Sequence, residues 1–170
     1  VSFNGRIVLP PQRQATVALT IGGVIKNTSL LPGQHVTKNS VIATLENPEF
    51  ITLQQTYLDS HAQTEYLRME YERQKNLSAE QAASQKKFQQ SKADYLSMKS
   101  RQDAAAAQLS LLGVNPETLL RDGIQPLLEV KAPISGYVVN VAMNMGKYIN
   151  PGEALCEVID KSAPMLCLTT

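Results

Sequence analysis

Residues 47–113 read NPEFITLQQTYLDSHAQTEYLRMEYERQKNLSAEQAASQKKFQQSKADYLSMKSRQDAAAAQLSLLG, and the fold turns on this stretch. After Pro48 it holds neither glycine nor proline until Gly113. Asn47-Pro48-Glu49 has the form of a helix start: an Asn cap, proline at the first helical position, and an acid against the positive helix end. From there a 3-4 spacing runs Phe50, Leu53, Tyr57, Ser60, Thr64, Leu67, Tyr71, Gln74, Ser78. A second run reads Gln81, Ser84, Phe88, Ser91, Tyr95, Met98, Gln102, Ala105, Leu109, Leu112. Both runs fit a coiled-coil seam better than a broad globular face. Ser78-Ala79-Glu80-Gln81 has the form of a capping box, which predicts a break near Asn76-Leu77-Ser78 and a second helix beyond it. Two arms of about 30 residues make an antiparallel hairpin roughly 45 Å long. A single unbroken helix is the alternative. Gly113 supplies the left-handed residue that commonly ends a helix. The seam is apolar at its base (Phe50, Leu53, Leu109, Leu112) and polar at its tip (Gln74, Ser78, Gln81, Ser84), so stability should fall toward the tip.

Short β-like segments flank this rod. Residues 2–9 read as a strand stopped by Pro10-Pro11, and residues 17–46 alternate strand-like runs with turns at Gly22-Gly23, Leu31-Pro32-Gly33 and Lys38-Asn39-Ser40. Val114-Asn115-Pro116-Glu117 opens a short helix ending near Gly123, and Gln125-Pro126 makes a return linker. Residues 130–160 alternate again, with turns at residues 133–136, 145–146 and 150–152, before Pro164 and a last run to Thr170.

The two β segments superpose without a gap at a shift of 113 residues. Val17 falls on Val130, Ile21 on Ile134, Gly23 on Gly136, Asn27 on Asn140 and Gly33 on Gly146. Val36 meets Ile149, Ile42 meets Leu155 and Leu45 meets Val158. Coincidence of turn glycines is easy, but coincidence of the apolar alternation as well is not. The repeat implies two similar half-sheets that bury their apolar faces on each other.

Composition narrows the function. Lysine and arginine number 16 against 15 acids, so net charge is +1 and no electrostatic footprint for nucleic acid exists. No apolar run is long enough to span a bilayer, and residue 1 reads like the middle of a strand, which points to a fragment. Cys156 and Cys167 lie in strand-like runs without a CxxC spacing; buried free thiols are the ordinary expectation, and a bond between them if the strands pair is the alternative. His35 in a turn and His61 on the rod have no acid or nucleophile partner in sequence, and no phosphate loop or nucleophile elbow is present. No enzyme is expected.

A glycine-punctuated β half, an inserted helical hairpin and a second half opening Ala132-Pro133-Ile134-Ser135-Gly136 together resemble the periplasmic adaptor proteins, the membrane fusion proteins of the HlyD type. The resemblance covers nearly the whole chain. It implies an α+β fold: a split lipoyl-like β domain (residues 16–46 and 128–160), an α-helical hairpin (47–113), and a short helix with return linker (114–127). Residues 1–15 and 161–170 would be remnants of an adjoining β-barrel. Adaptors that meet a TolC-like outer-membrane channel show Arg-x3-Leu-x6-Ser across the hairpin turn, and Arg73, Leu77 and Ser84 stand at that spacing. Leu77 offers an apolar knob, Ser84 a small hydrogen-bonding neighbour and Arg73 a forked donor for carbonyls or carboxylates. The implied protein is a periplasmic adaptor subunit of a tripartite efflux pump. It would link an inner-membrane RND-type transporter to the channel, self-associate into a ring when full-length, and be anchored to the inner membrane. No cofactor is implied.

Leu112-Gly113-Val114-Asn115-Pro116-Glu117 with its short helix further resembles adaptors of heavy-metal RND pumps. Met143 and Met145 could offer thioethers to a soft ion such as Cu(I), but two on one turn make an incomplete site, and solvent-side turn residues are the ordinary reading. Ala142-Met143-Asn144-Met145 resembles the attachment motif of biotin or lipoyl carrier domains, yet Asn144 has no amine to acylate and the motif falls inside the second half. A generic coiled-coil scaffold is the remaining alternative.

Overall fold

A computed structural model of the protein describes residues 5–8, 13–80, 84–161 and 165–168. Residues 2–4 and Leu9 of the first predicted strand, the Pro10-Pro11 stop, Gln81 of the seam, Pro164 and the last two threonines lie outside them. The chain divides into a β unit, residues 1–47 with 127–170, and a helical unit, residues 48–126.

The β unit is built from strands β1 (Gly5–Val8), β2 (Gln14–Ala18), β3 (Gly23–Thr28), β4 (His35–Val36), β5 (Val41–Glu46), β6 (Leu128–Lys131), β7 (Gly136–Val139), β8 (Tyr148–Ile149), β9 (Ala154–Ile159) and β10 (Met165–Leu168). Two four-stranded sheets have the orders β2-β9-β7-β4 and β6-β5-β3-β8, while β1 and β10 pair with each other, Gly5 opposite Leu168. Under the 113-residue shift β2 maps on β6, β3 on β7, β4 on β8 and β5 on β9. One sheet is therefore the other with its halves exchanged.

That exchange corrects the expectation of two half-sheets packed face to face. Each sheet takes two strands from the first half of the chain and two from the second. The physical reason is that the edge strands β2, β6 and the two-residue β4 and β8 have no partner within their own half and pair their backbone groups across the repeat. The shortest two show it most plainly. Each finds its partner across the repeat, His35 opposite Tyr137 and Tyr148 opposite Val24. The turns lock the exchange by equivalent bonds: Gly33 N–H donates to Val138 O at 2.7 Å, and Gly146 N–H to Ile25 O at 2.8 Å.

Alternation then sets the core. Ile25, Ile42 and Leu45 from the first half are buried, as are their counterparts Val138, Leu155 and Val158. Each such side chain contributes about 1.5–3 kcal/mol by leaving water. Glycine is required at one repeated position. A Cβ on Gly23 would stand 2.8 Å from Glu46 O, and one on the equivalent Gly136 would strike Ile159 O. Cys156, in β9, is buried with a free thiol.

Strands β5 and β6 pair antiparallel, with Leu45 opposite Leu128. The ends of the β unit that flank residues 48–126 are thus neighbours in one sheet, as in a hairpin whose turn has been replaced. This is why a long insertion leaves the sheet intact: backbone pairing resumes at the register where it stopped.

The helical unit consists of α1 (Pro48–Ala79), α2 (Gln85–Leu111) and α3 (Pro116–Asp122). A hairpin forms, not one unbroken helix. At 1.5 Å per residue the 32 residues of α1 span about 48 Å. Helix α2 ends on a Leu112 cap followed by Gly113 at φ 78, and α3 begins at an Asn115 cap and ends at Gly123, φ 81, as the sequence predicts. Two expectations are corrected. Helix α1 runs past Asn76-Leu77-Ser78 to Ala79, and α2 is capped by Ser84 rather than Ser78. In the seam, Leu53 is only half-buried, whereas Gln54 is fully buried.

Gln54 fills that core position because its amide is satisfied. Its Nε2 donates to Phe50 O at 3.1 Å and to Gln125 O at 2.9 Å, while Oε1 accepts from Gln125 N at 2.7 Å. The other buried polar seam residues bond within their own helix: Thr64 Oγ1 to Ser60 O at 2.6 Å, Ser91 Oγ to Phe88 O at 2.7 Å. Toward the tip, Tyr71 stacks between Phe88 and Tyr95, each ring pair 5.7 Å apart. The buried residues of α1 lie between Phe50 and Thr64, whereas α2 buries Ser91 as well as Ala105 and Leu109.

Candidate docking surface at the hairpin tip

The three motif residues occupy the end of the hairpin where the chain reverses. Arg73 and Leu77 sit one turn apart on α1, so their side chains share a face. Arg73 is two-thirds exposed and forms an ion pair with Glu70. Glu70 also accepts from Gln74 Nε2 at 3.0 Å, so one carboxylate orders two neighbours on the same helix. Leu77 is half-buried in the last turn of α1. Ser84 stands exposed at the start of α2, with extended backbone (φ −75, ψ 146), and its Oγ accepts from Lys87 N at 3.2 Å.

One further bond closes the tip. Gln85 Nε2, from the first residue of α2, donates to Ser78 Oγ at 2.7 Å across to α1. Ser78 therefore serves as a cross-helix acceptor instead of a cap. Sequence reasoning missed this division of labour because Ser78 is followed by Glu80-Gln81 and looks like a capping box. Ser84 is followed by Gln85-Lys86-Lys87, which lacks the acid that usually marks one. The Glu70 contact was legible in principle, since it is an acid three residues before Arg73. Lower on α1, Arg68 bridges Glu65 at 2.9 Å and Glu72 at 3.4 Å, and its hydrogen bond holds the Glu65 carboxyl below its usual value.

Two other features were singled out in the sequence. Met143 is buried in the β unit, whereas Met145 is 63% exposed, so their thioethers stand in different environments. Among the described residues no group of three His, Cys, Asp or Glu side chains could hold a metal ion. No helix of the described residues is long and apolar enough to cross a membrane.

A groove of about 520 Å³ runs along the base of the helical unit, lined by Leu53, Thr52, Thr56, Ala104, Ala105 and the Arg101 stem among others. It lies between α1 and α2. Gln54, one step round α1 from Leu53, faces the segment after α3 instead.

An interleaved two-sheet β unit with a helical hairpin inserted between paired strands defines a barrel-sandwich hybrid. Residues 13–160 match the sequence model of the family described as "CzcB-like, barrel-sandwich hybrid domain", and the chain belongs to that family, one of membrane fusion, or periplasmic adaptor, proteins. Among solved structures it is similar to ZneB from Cupriavidus metallidurans, at 26% identity and a TM-score of 0.61, over 93% of this chain and 65% of that one. A putative efflux transporter from Bacteroides eggerthii shares the fold at 24% identity and a TM-score of 0.65, over 94% of this chain and 43% of that one. So does a MacA–MexA chimera carrying the Pseudomonas aeruginosa MexA α-hairpin domain, at 21% identity and a TM-score of 0.65, over 92% and 50%. The chain thus spans between 43% and 65% of the length of these proteins. No curated protein matches the sequence.

Proposed function

We propose that this chain is the hairpin and lipoyl-like part of a periplasmic adaptor in a tripartite efflux pump. The adaptor links an inner-membrane RND-type transporter to a TolC-like outer-membrane channel, and the hairpin tip docks on the channel. The observation that carries this reading is the placement of Arg73, Leu77 and Ser84 together where α1 ends and α2 begins. A half-buried leucine beside an exposed guanidinium suits the end of a helical channel, which offers carbonyls and apolar side chains together. Family membership supports a linking rather than a catalytic role.

Self-association of the full-length protein into a ring is supported by the apolar groove at the base of the helical unit, with Leu120 and Ile124 exposed elsewhere on the same unit. The Leu112-Gly113-Val114-Asn115-Pro116-Glu117 segment with its short helix α3 favours, by resemblance, the heavy-metal pumps as the subgroup. Strands β1 and β10, which pair with each other apart from the two four-stranded sheets, fit part of an adjoining barrel, and the full-length protein is anchored to the inner membrane.

The test is a pair of tip substitutions in the full-length protein. Arg73→Asp, at an exposed position, should abolish efflux-dependent resistance in cells while leaving thermal unfolding within about 0.5 kcal/mol of wild type. Leu77→Asp should abolish it too, at a larger cost in stability because Leu77 is half-buried. Full resistance with either variant would contradict tip docking.

A further inference from the structure

Of the three tip residues, Ser84 differs in kind. Arg73 and Leu77 project from the body of α1: the guanidinium is two-thirds exposed although paired with Glu70, and the leucine is half-buried, so each keeps some surface for a partner. The Ser84 oxygen is already engaged. It accepts from Lys87 N at 3.2 Å, and the residue's extended backbone marks it as the cap of α2. Immediately after it, Gln85 reaches across to Ser78 Oγ at 2.7 Å. The first turn of α2 is thus fixed twice, once by its own cap and once to α1.

On the reading that the tip docks on a channel, we propose that Ser84 is a positioning residue rather than a contact residue. Its hydroxyl sets where α2 begins, and through Gln85 and Ser78 it fixes the last turn of α1, which carries Leu77. The partner meets Arg73 and Leu77; Ser84 decides whether those two are held in the docking geometry.

The two roles predict different substitution patterns. A cap tolerates Asn, Asp and Gly nearly as well as Ser, and rejects Ala, which weakens the helix start by roughly 2- to 30-fold. A contacting hydroxyl tolerates none that lacks an O–H at that spot, so Gly and Ala should be equally bad. Glycine is the deciding variant because it caps a helix without offering any side-chain group.

The experiment measures binding of the full-length adaptor to its purified channel for wild type, Ser84→Gly, Ser84→Asn and Ser84→Ala, with amide exchange at Lys87 followed in parallel. Ser84→Gly and Ser84→Asn should bind within about twofold of wild type. Ser84→Ala should bind several-fold more weakly and show faster exchange at Lys87. Ser84→Gly as weak as Ser84→Ala, with Lys87 exchange unchanged in both, would overturn the proposal and make the hydroxyl a contact. Ser84→Ala binding like wild type would overturn it as well. Failure of wild type itself to bind would instead strike the docking reading on which the inference rests.

Discussion

Burial in β9 pushes the Cys156 thiol up to about 11, with the neighbouring Glu157 charge adding to the effect. The sign follows from which state ionises first. Below the ordinary value of 9.0 the thiol is neutral in folded and unfolded chains alike. Above it, the unfolded thiol ionises while the buried one does not, so stability present below pH 9 is lost as pH rises toward 11. The loss attributable to this group is up to about 2 kcal/mol. Urea unfolding of wild type and Cys156→Val at pH 8 and pH 10.5 should show a larger drop for wild type; equal drops would contradict it. Other residues mark the limit of sequence reading at this scale. Ser78 and Ser84 are the same side chain a few residues apart, and the conventional signature pointed to the wrong one. Which serine caps depends on where α1 stops, and that is decided by packing across the hairpin, including the Tyr71 stack with Phe88 and Tyr95.

At the scale of the element, the rod's boundaries were legible because they are written in backbone chemistry. Asn47-Pro48 and Asn115-Pro116 start helices, and Gly113 and Gly123 stop them by adopting positive φ. The seam was legible only as a stripe. Gln54 is polar and lies next to the heptad position of Leu53, so no hydrophobic pattern selects it. It is buried because a backbone segment distant in sequence, at Gln125, presents a free N–H and C=O that match its amide. Gln54→Leu keeps the volume and removes the match. It should destabilise the helical unit by about 1–3 kcal/mol, read from chemical unfolding, and should speed amide exchange at Gln125 more than at Leu109. Unchanged stability together with unchanged exchange would show that Gln54 merely fills space.

For the whole molecule, the internal repeat was the most informative feature of the sequence, and it also misled. It located the strands and their buried positions on both sides of the insertion. The repeat did not reveal that the halves interleave, because a sequence repeat records what each half is made of and not which half its strands pair with. The exchange follows from the edge strands β2, β4, β6 and β8, each paired across the repeat. An interleaved unit of this kind cannot be separated into halves, so residues 48–126 are carried as one insertion between the paired strands β5 and β6. This architecture suits a protein that acts by holding one partner at the end of a helical arm. The most direct measurement is photo-crosslinking from an unnatural amino acid at Leu77 of the full-length adaptor, in cells that carry the outer-membrane channel, with Leu111 at the base of the hairpin as the control position. The account predicts an adduct with the channel from position 77 and none from position 111. An adduct from position 111 alone, or equal adducts from both, would contradict it.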